Sequence, residues 1–240
     1  MTVIRIIDFE TSGMEPPEAQ VVEVGLCDLV QDDGGSWQVQ EPVSWLCGVT
    51  AIPPEVRAVH HIGLKDVAGL EAFDRSAIFQ TGRVPSAIAA HNLDFETKFL
   101  GEHGLPAICT LKAALRAWPT APAHTNGALR YWLEDQGLTD GLVHEKAMPP
   151  HRAGPDAYVT AWILKALLQT GVTGREMVAW TREPRVLPTC PIGKFRGKPW
   201  AEVEGGFLSW MLQQPTMEED LKWNARRELD RRLVDQRGRT

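Results

Sequence analysis

The chain has 240 residues, 43% of them hydrophobic and 23% charged, with nine tryptophans, a composition that builds a core and excludes a disordered chain. Its net charge of −6 is unevenly spread: residues 1–184 carry 14 basic and 23 acidic side chains, residues 185–240 carry 11 and 8. The acidic balance argues against a passive nucleic-acid coat, while the basic end suits contact with a polyanion or a solvated helical face.

The N-terminus enters a strand at once, without the basic and apolar regions of a secretory signal. No apolar run is long enough to span a bilayer, so no membrane partner is expected. Cys27, Cys47, Cys109 and Cys190 are widely spaced, with no Cys-x-x-Cys, which points neither to zinc nor to a disulfide framework. A cytoplasmic protein with reduced thiols is expected.

The β-branched run Val3, Ile4, Ile6, Ile7 predicts a central strand buried on both faces. It ends in Asp8-Phe9-Glu10-Thr11, and acids two apart on a strand project together. Two adjacent carboxylates repel, and hard cations such as Mg²⁺ or Mn²⁺ relieve that repulsion through oxygen ligands. An isolated Asp-x-Glu is better explained as two surface acids at a strand end. Residues 21–30 predict a second strand, Asp32-Asp33-Gly34-Gly35 a hairpin, and Trp37 to Leu46 a third strand.

Pro53-Pro54-Glu55 opens a short helix through His60, and a second helix is predicted over residues 71–81. Residues 86–90 form a short apolar strand; Asn92 then caps a helix running to about Glu102. Helices are expected over residues 110–118 and 126–136, a loop over 139–150, and a long helix from Gly154-Pro155-Asp156 to about Gln169. Strands followed by interleaved strands and helices give an α/β or α+β domain over residues 1–175. Residues 176–192 are expected as a linker, and residues 193–240 as a small module whose last helix spans about 217–235.

Three separated stretches then converge: Asp8 with Glu10, His91-Asn92-Leu93-Asp94-Phe95-Glu96, and His151-x-x-x-x-Asp156. Together they resemble the three motifs of the DEDDh family of 3′→5′ exonucleases, which read Asp-x-Glu-Thr, His-Asn-x-x-Phe-Asp and His-x-x-x-x-Asp. Further segments resemble the exodeoxyribonuclease branch of that family: Val59-His60-His61-Ile62, Cys109-Thr110-Leu111, Trp118-Pro119, Gly193-Lys194-Phe195-Arg196-Gly197-Lys198 and Phe207-Leu208-Ser209-Trp210. The resemblance covers nearly the whole chain. One position departs, since Glu96 stands where the family has Asp, and an extra methylene moves the oxygen against strict Mg²⁺ geometry.

The resemblance implies an α/β, ribonuclease-H-like (DnaQ-like exonuclease) fold, a mixed sheet flanked by helices with a small C-terminal module. It implies an enzyme that removes nucleoside 5′-monophosphates from 3′ ends, single-stranded DNA being the expected partner. Asp8, Glu10, Glu96 and Asp156 are the expected ligands of two Mg²⁺ or Mn²⁺ ions, roughly 3.5–4 Å apart in such sites. His151 is the expected general base, as an imidazole titrates near neutrality. Its place in a Pro149-Pro150 loop suits closure onto bound substrate. Thr11, His60, Asn92, Lys194, Arg196 and Lys198 are the expected substrate contacts. From the residues alone, His60 is better explained by packing, Asn92 serves equally as a helix cap, and a solvated turn explains the three cations almost as well. RNA trimming by the same chemistry, or a nucleic-acid-binding or polymerase-associated subunit with weakened catalysis, are the competing readings. Glu96 is the sole support for the second.

On helical phase, Glu96 falls beside the inward stripe of Phe95, Phe99 and Leu100, while Asp94 falls on the solvent side with Lys98 one turn on.

Overall fold

A computed structural model describes residues 2–237; the module's last three residues, 238–240, lie outside that range. β1 (Thr2–Thr11) pairs antiparallel with β2 (Val21–Gln31), Thr2 opposite Gln31 and Asp8 opposite Gly25. β3 (Trp37–Val39) and β4 (Val43–Leu46) both pair antiparallel with β2. Next come α1 (Pro54–His60), α2 (Ser76–Gln80) and β5 (Ala87–Ala90), which pairs parallel with β1. α3 (Leu93–Leu100), β6 (Ala107–Cys109, parallel to β5), α4 (Thr110–Ala117) and α5 (Asn126–Asp135) follow. The body closes with α6 (Ala153–Gln169) and α7 (Gly174–Thr181), and the module holds α8 (Gly205–Gln213) and α9 (Glu219–Arg237). The mixed sheet runs β3-β2-β1-β5-β6, so β1 lies at its centre.

The strand period sorts β1 into two cores. Ile4 and Ile6 pack with α6 residues such as Ala157, Ala161 and Leu164, while Ile7 and Phe9 pack on the other face with Leu93 and Leu100 of α3. Ile6 and Ile7 are fully buried, each contributing about 1.5–3 kcal/mol. Asp8 and Glu10 continue the even-numbered row, toward α6. Arg5 interrupts the apolar run and is nonetheless 2% exposed. Its Nε and Nη2 donate to the Asp28 carboxylate at 2.8 and 2.9 Å, and further N–H groups reach the Ile78 and Arg83 carbonyls. A buried charge so fully paired leaves little unmet desolvation.

Several boundaries differ from the sequence expectation. The third strand is two, because Pro42 offers no N–H between β3 and β4. The helix expected over residues 71–81 shrinks to α2, since the Asp74 carboxylate takes the Ser76 N–H at 2.9 Å and delays the first turn. α3 stops at Leu100, where Gly101 adopts φ 69°. Asn92 occupies the cap position of α3 but its side chain makes no capping bond. The segment from residue 176 is helical to Thr181, and Met177 is buried in the body's core.

Cys190, Phe195, Val203, Leu208, Met211, Leu221 and Ala225 form a separate apolar cluster in the C-terminal segment. Between it and the body, the Arg116 guanidinium lies 5.5 Å from the Trp180 ring centroid and 6.0 Å from that of Trp223, and donates to Glu183 at 2.7 Å. Among the described residues no helix is long and apolar enough to cross a membrane. All four cysteines are buried free thiols.

Candidate active site

Carboxylate oxygens of Asp8, Glu10 and Asp156 all lie within 4.8 Å of one another. β1 supplies the first two on one face. α6 supplies the third from its first turn, where unpaired helix N–H groups favour an acid.

What brings α6 so close is Gly25, the residue opposite Asp8 on β2. A Cβ there would stand 1.9 Å from the Ala153 carbonyl oxygen and 2.6 Å from the Gly154 nitrogen. Glu23, two residues earlier, is 1% exposed and accepts Arg152 Nε and Nη2 at 2.8 Å each and the Ala153 N–H at 3.1 Å. The first turn of α6 is thus fastened to β2 beside the acids. Sequence reasoning missed Gly25, Glu23 and Arg152. A Gly and a Glu in the apolar first half of β2 are the available signal, pointing to close backbone approach and to a buried charge in need of a partner.

Glu96 projects from α3 and is 4% exposed, with Oε2 lacking a hydrogen-bond partner. Asp94, two residues earlier, is exposed, its side chain 67% accessible, and pairs with Lys112 at 3.1 Å. Lys98, expected near Asp94, pairs with Glu15 instead.

The carboxylates repel one another and resist ionisation. Burial, then the charges of Asp156, Glu96, Glu10 and Glu23, push Asp8 well above the usual carboxylate range. Burial raises Glu10 to about 8, with Asp156 and Glu23 adding and Arg152 opposing. Burial also raises Glu96 to about 8, against a backbone hydrogen bond, with Asp94 and Glu10 adding. Asp156 is raised by burial too, although the His151 N–H, donating to its Oδ2 at 3.0 Å, pulls the other way. Crowded carboxylates, one with an orphaned buried oxygen, fit divalent cations: a hard all-oxygen donor set whose charge wants compensation.

The other expected site residues divide. His151 is exposed, on the loop before α6, with φ 59°, a left-handed conformation that costs a non-glycine residue energy. His60, at the end of α1, is 1% exposed; its Nδ1 accepts the Ile62 N–H at 3.0 Å, while Nε2 has no partner. Burial lowers its pKa, so the ring is held neutral with a spare N–H on Nε2. It lines a cavity of about 280 Å³ with Glu10, Thr11, Met14, Val59 and Phe95. Thr11 turns its hydroxyl onto the Gly13 carbonyl at 2.6 Å. Asn92 is exposed before α3. His91 bridges Thr110 Oγ1 at 3.0 Å and the His124 carbonyl at 2.8 Å, and burial lowers its pKa to about 4. Its part here is to tie β5 to α4. Lys194, Arg196 and Lys198 are not brought to the acids; they are exposed on the C-terminal module.

No family model matches the chain. It is 31% identical over 215 residues to exodeoxyribonuclease 10 of Escherichia coli strain K12, covering 88% of this chain and 90% of that protein. It superposes on an exonuclease X solved with 5′-overhanging duplex DNA at a TM-score of 0.59 and 30% identity, covering 74% of this chain and 99% of the other. An Escherichia coli exonuclease I, solved in a zinc-bound complex with single-stranded DNA, superposes at 0.53 over 73% of this chain and 42% of its own. At 14% identity that likeness concerns the fold alone. The fold is the ribonuclease-H-like sheet flanked by helices.

Proposed function

The chain belongs to the DnaQ-like exonucleases, and from that membership we propose that it removes nucleoside 5′-monophosphates from DNA 3′ ends, acting in the cytoplasm. The observation that carries the reading is the meeting of Asp8, Glu10 and Asp156 within 4.8 Å beside the partnerless oxygen of Glu96. These four residues would hold divalent cations, which we take to be two Mg²⁺ or Mn²⁺ ions given the all-oxygen donors. When bound, the cations would supply positive charge that favours ionisation of the attacking water and offsets charge on the leaving 3′ oxygen.

The protein's own groups do the rest. The cavity beside Glu10 receives the terminal nucleoside, with Val59 and Phe95 as apolar wall and the His60 Nε2–H as a donor to one of its oxygens. Thr11, at the end of β1, and Asn92, before α3, are our candidates for contacts to the sugar and phosphate. His151 accepts the proton of the attacking water through its imidazole. Its backbone N–H is already committed to Asp156, so loop and ligand move together.

Labelled single-stranded DNA incubated with the purified protein and Mg²⁺ or Mn²⁺ tests this reading. Stepwise shortening from the 3′ end, release of 5′-mononucleotides and full inhibition by EDTA are expected. Internal cleavage alone, or shortening that continues in EDTA, would overturn it.

A further inference from the structure

The C-terminal module carries a second concentration of chemistry that the acid cluster does not use. Trp210 on α8 is 45% exposed, the one exposed tryptophan among the described residues. Its α8 neighbours Leu208 and Met211 are fully buried, so the helix is anchored by those side chains and not by the outward-facing one at 210. The indole stacks on Phe207 at 5.2 Å between centroids and 30° between planes, and Phe207 in turn tilts against Phe195 at 5.0 Å. A row of three rings thus runs from the module's core to the solvent and ends in an open aromatic face.

The basic loop is seated on the same row. Gly193 adopts φ 60°, and a Cβ there would stand 3.0 Å from Phe207 Cζ, so glycine is what lets the loop lie on the ring. From that seat the loop presents Lys194, Arg196 and Lys198, all exposed, with the Lys194 Nζ 4.9 Å from the Phe195 centroid. Between Arg185 and Glu202 the chain contains no acid. Lys194 pairs with Glu204 at 3.0 Å, but both side chains are about two-thirds exposed, and such a pair yields readily to a phosphate. Arg196 and Lys198 make no ion pair among the described residues.

We propose that Trp210 and the loop of Lys194, Arg196 and Lys198 form a binding site for single-stranded DNA, separate from the candidate active site. A base stacks on the open face of Trp210, and neighbouring backbone phosphates lie on the three cations. The choice of DNA as polyanion rests on the exonuclease reading; the platform itself rests on the rings and charges. Single strands are favoured over duplex because a paired base offers no free face to the indole.

Binding of a fluorescent oligothymidylate to the full chain in EDTA, titrated over a range of salt, tests the proposal without turnover. Trp210→Ala should weaken binding roughly 5- to 150-fold, as expected for one stacked base, and leave the salt slope unchanged. Trp210→Phe should restore most of the affinity. The triple variant Lys194→Gln, Arg196→Gln, Lys198→Gln touches no core residue and should flatten the slope of log affinity against log salt by about 2. Wild-type affinity in Trp210→Ala, or an unchanged slope in the triple variant, overturns the platform. Turnover of the wild type with Mg²⁺ is read separately: an inactive wild type whose binding still depends on Trp210 removes the nuclease reading and upholds the platform.

Discussion

Gly25 stands opposite Asp8 in the β1–β2 ladder, and the space a side chain would fill there holds the carbonyl of Ala153. The distance between two strands and the first turn of α6 is therefore set by one missing methyl group. Gly25→Ala must push α6 outward and carry Asp156 with it, because a backbone carbonyl 1.9 Å from the new Cβ cannot rotate aside. We expect metal-dependent turnover to fall on the order of a hundredfold, the usual cost of misplacing a reacting group by about 1 Å. Gly127→Ala is the control, as nothing lies within 4 Å of its Cβ position and it sits in α5; there stability should rise by about 0.5–1 kcal/mol. Equal turnover in Gly25→Ala and wild type would refute the spacing argument.

Glu96 and Asp94 separate by burial, one 4% exposed beside the cluster and the other solvated against Lys112. Glu96→Gln should abolish metal-dependent cleavage, while Asp94→Asn should keep it and cost less than about 1 kcal/mol of stability. Glu96→Asp should retain or raise activity, since it restores the family's residue. Rates for the three purified variants decide the matter, and a dead Asp94→Asn beside an active Glu96→Gln would reverse the assignment.

His151→Ala should lower turnover by about 10²–10⁴ with little change in DNA affinity, as for a lost general base. Its backbone bond to Asp156 is available to any residue, so the ligand should stay in place. Normal single-turnover rates in this variant would remove the imidazole from the chemistry.

Arg152→Ala tests the fastening of that loop. Glu23, 2% exposed in its side chain, would lose both guanidinium bonds and keep only the Ala153 N–H. Arg152 itself is 37% exposed, so the loss should be smaller than the roughly 3–5 kcal/mol of a fully buried pair. A lowered denaturant midpoint together with reduced turnover is expected; unchanged values of both would show the contact to be idle.

The raised carboxylates also predict a pH dependence. Glu10 and Glu96 hold their protons to about pH 8 in the folded protein and only to the ordinary range when unfolded. Their contribution to stability is therefore complete below about pH 4.5 and is lost as the pH rises through about 8. Burial shifts His60, His91 and His103 (in the loop between α3 and β6) downward, and they act oppositely, but their gain is nearly complete by about pH 7. From pH 7 to 8 the EDTA-treated protein should lose thermal stability. Mg²⁺ at about a hundred times its Kd should return about 2.7 kcal/mol. A melting midpoint that climbs across this interval in EDTA would contradict the crowding of the acids.

What the sequence made legible was local. The alternation of β1 placed Asp8 and Glu10 on one side, and the turn of α3 placed Glu96 inward and Asp94 outward. His151 and Asp156 are near neighbours in the chain, so their loop-then-helix arrangement could be read directly. The contact that fastens the site was not legible, because it joins distant segments: Glu23 meets Arg152 across 129 residues. β6 is three residues long, too short for a period to register, whereas the break at Pro42 has a plain sequence sign in the missing N–H of proline. For Lys98 the helix spacing offered Asp94, and tertiary packing supplied Glu15 instead.

The placement of Arg116 between Trp180 and Trp223 turns what would be a tether into a bracket. A module on a loose linker samples a volume, and its effective concentration at the body falls as the linker lengthens. Here Arg116 bonds Glu183 at one end of the connecting segment, and Arg185 bonds Asp220 at 2.5 Å at the other, leaving little slack between. On the single-strand proposal above, such a bracket would make the span between platform and acids a length counted in nucleotides, where a swinging arm would average it.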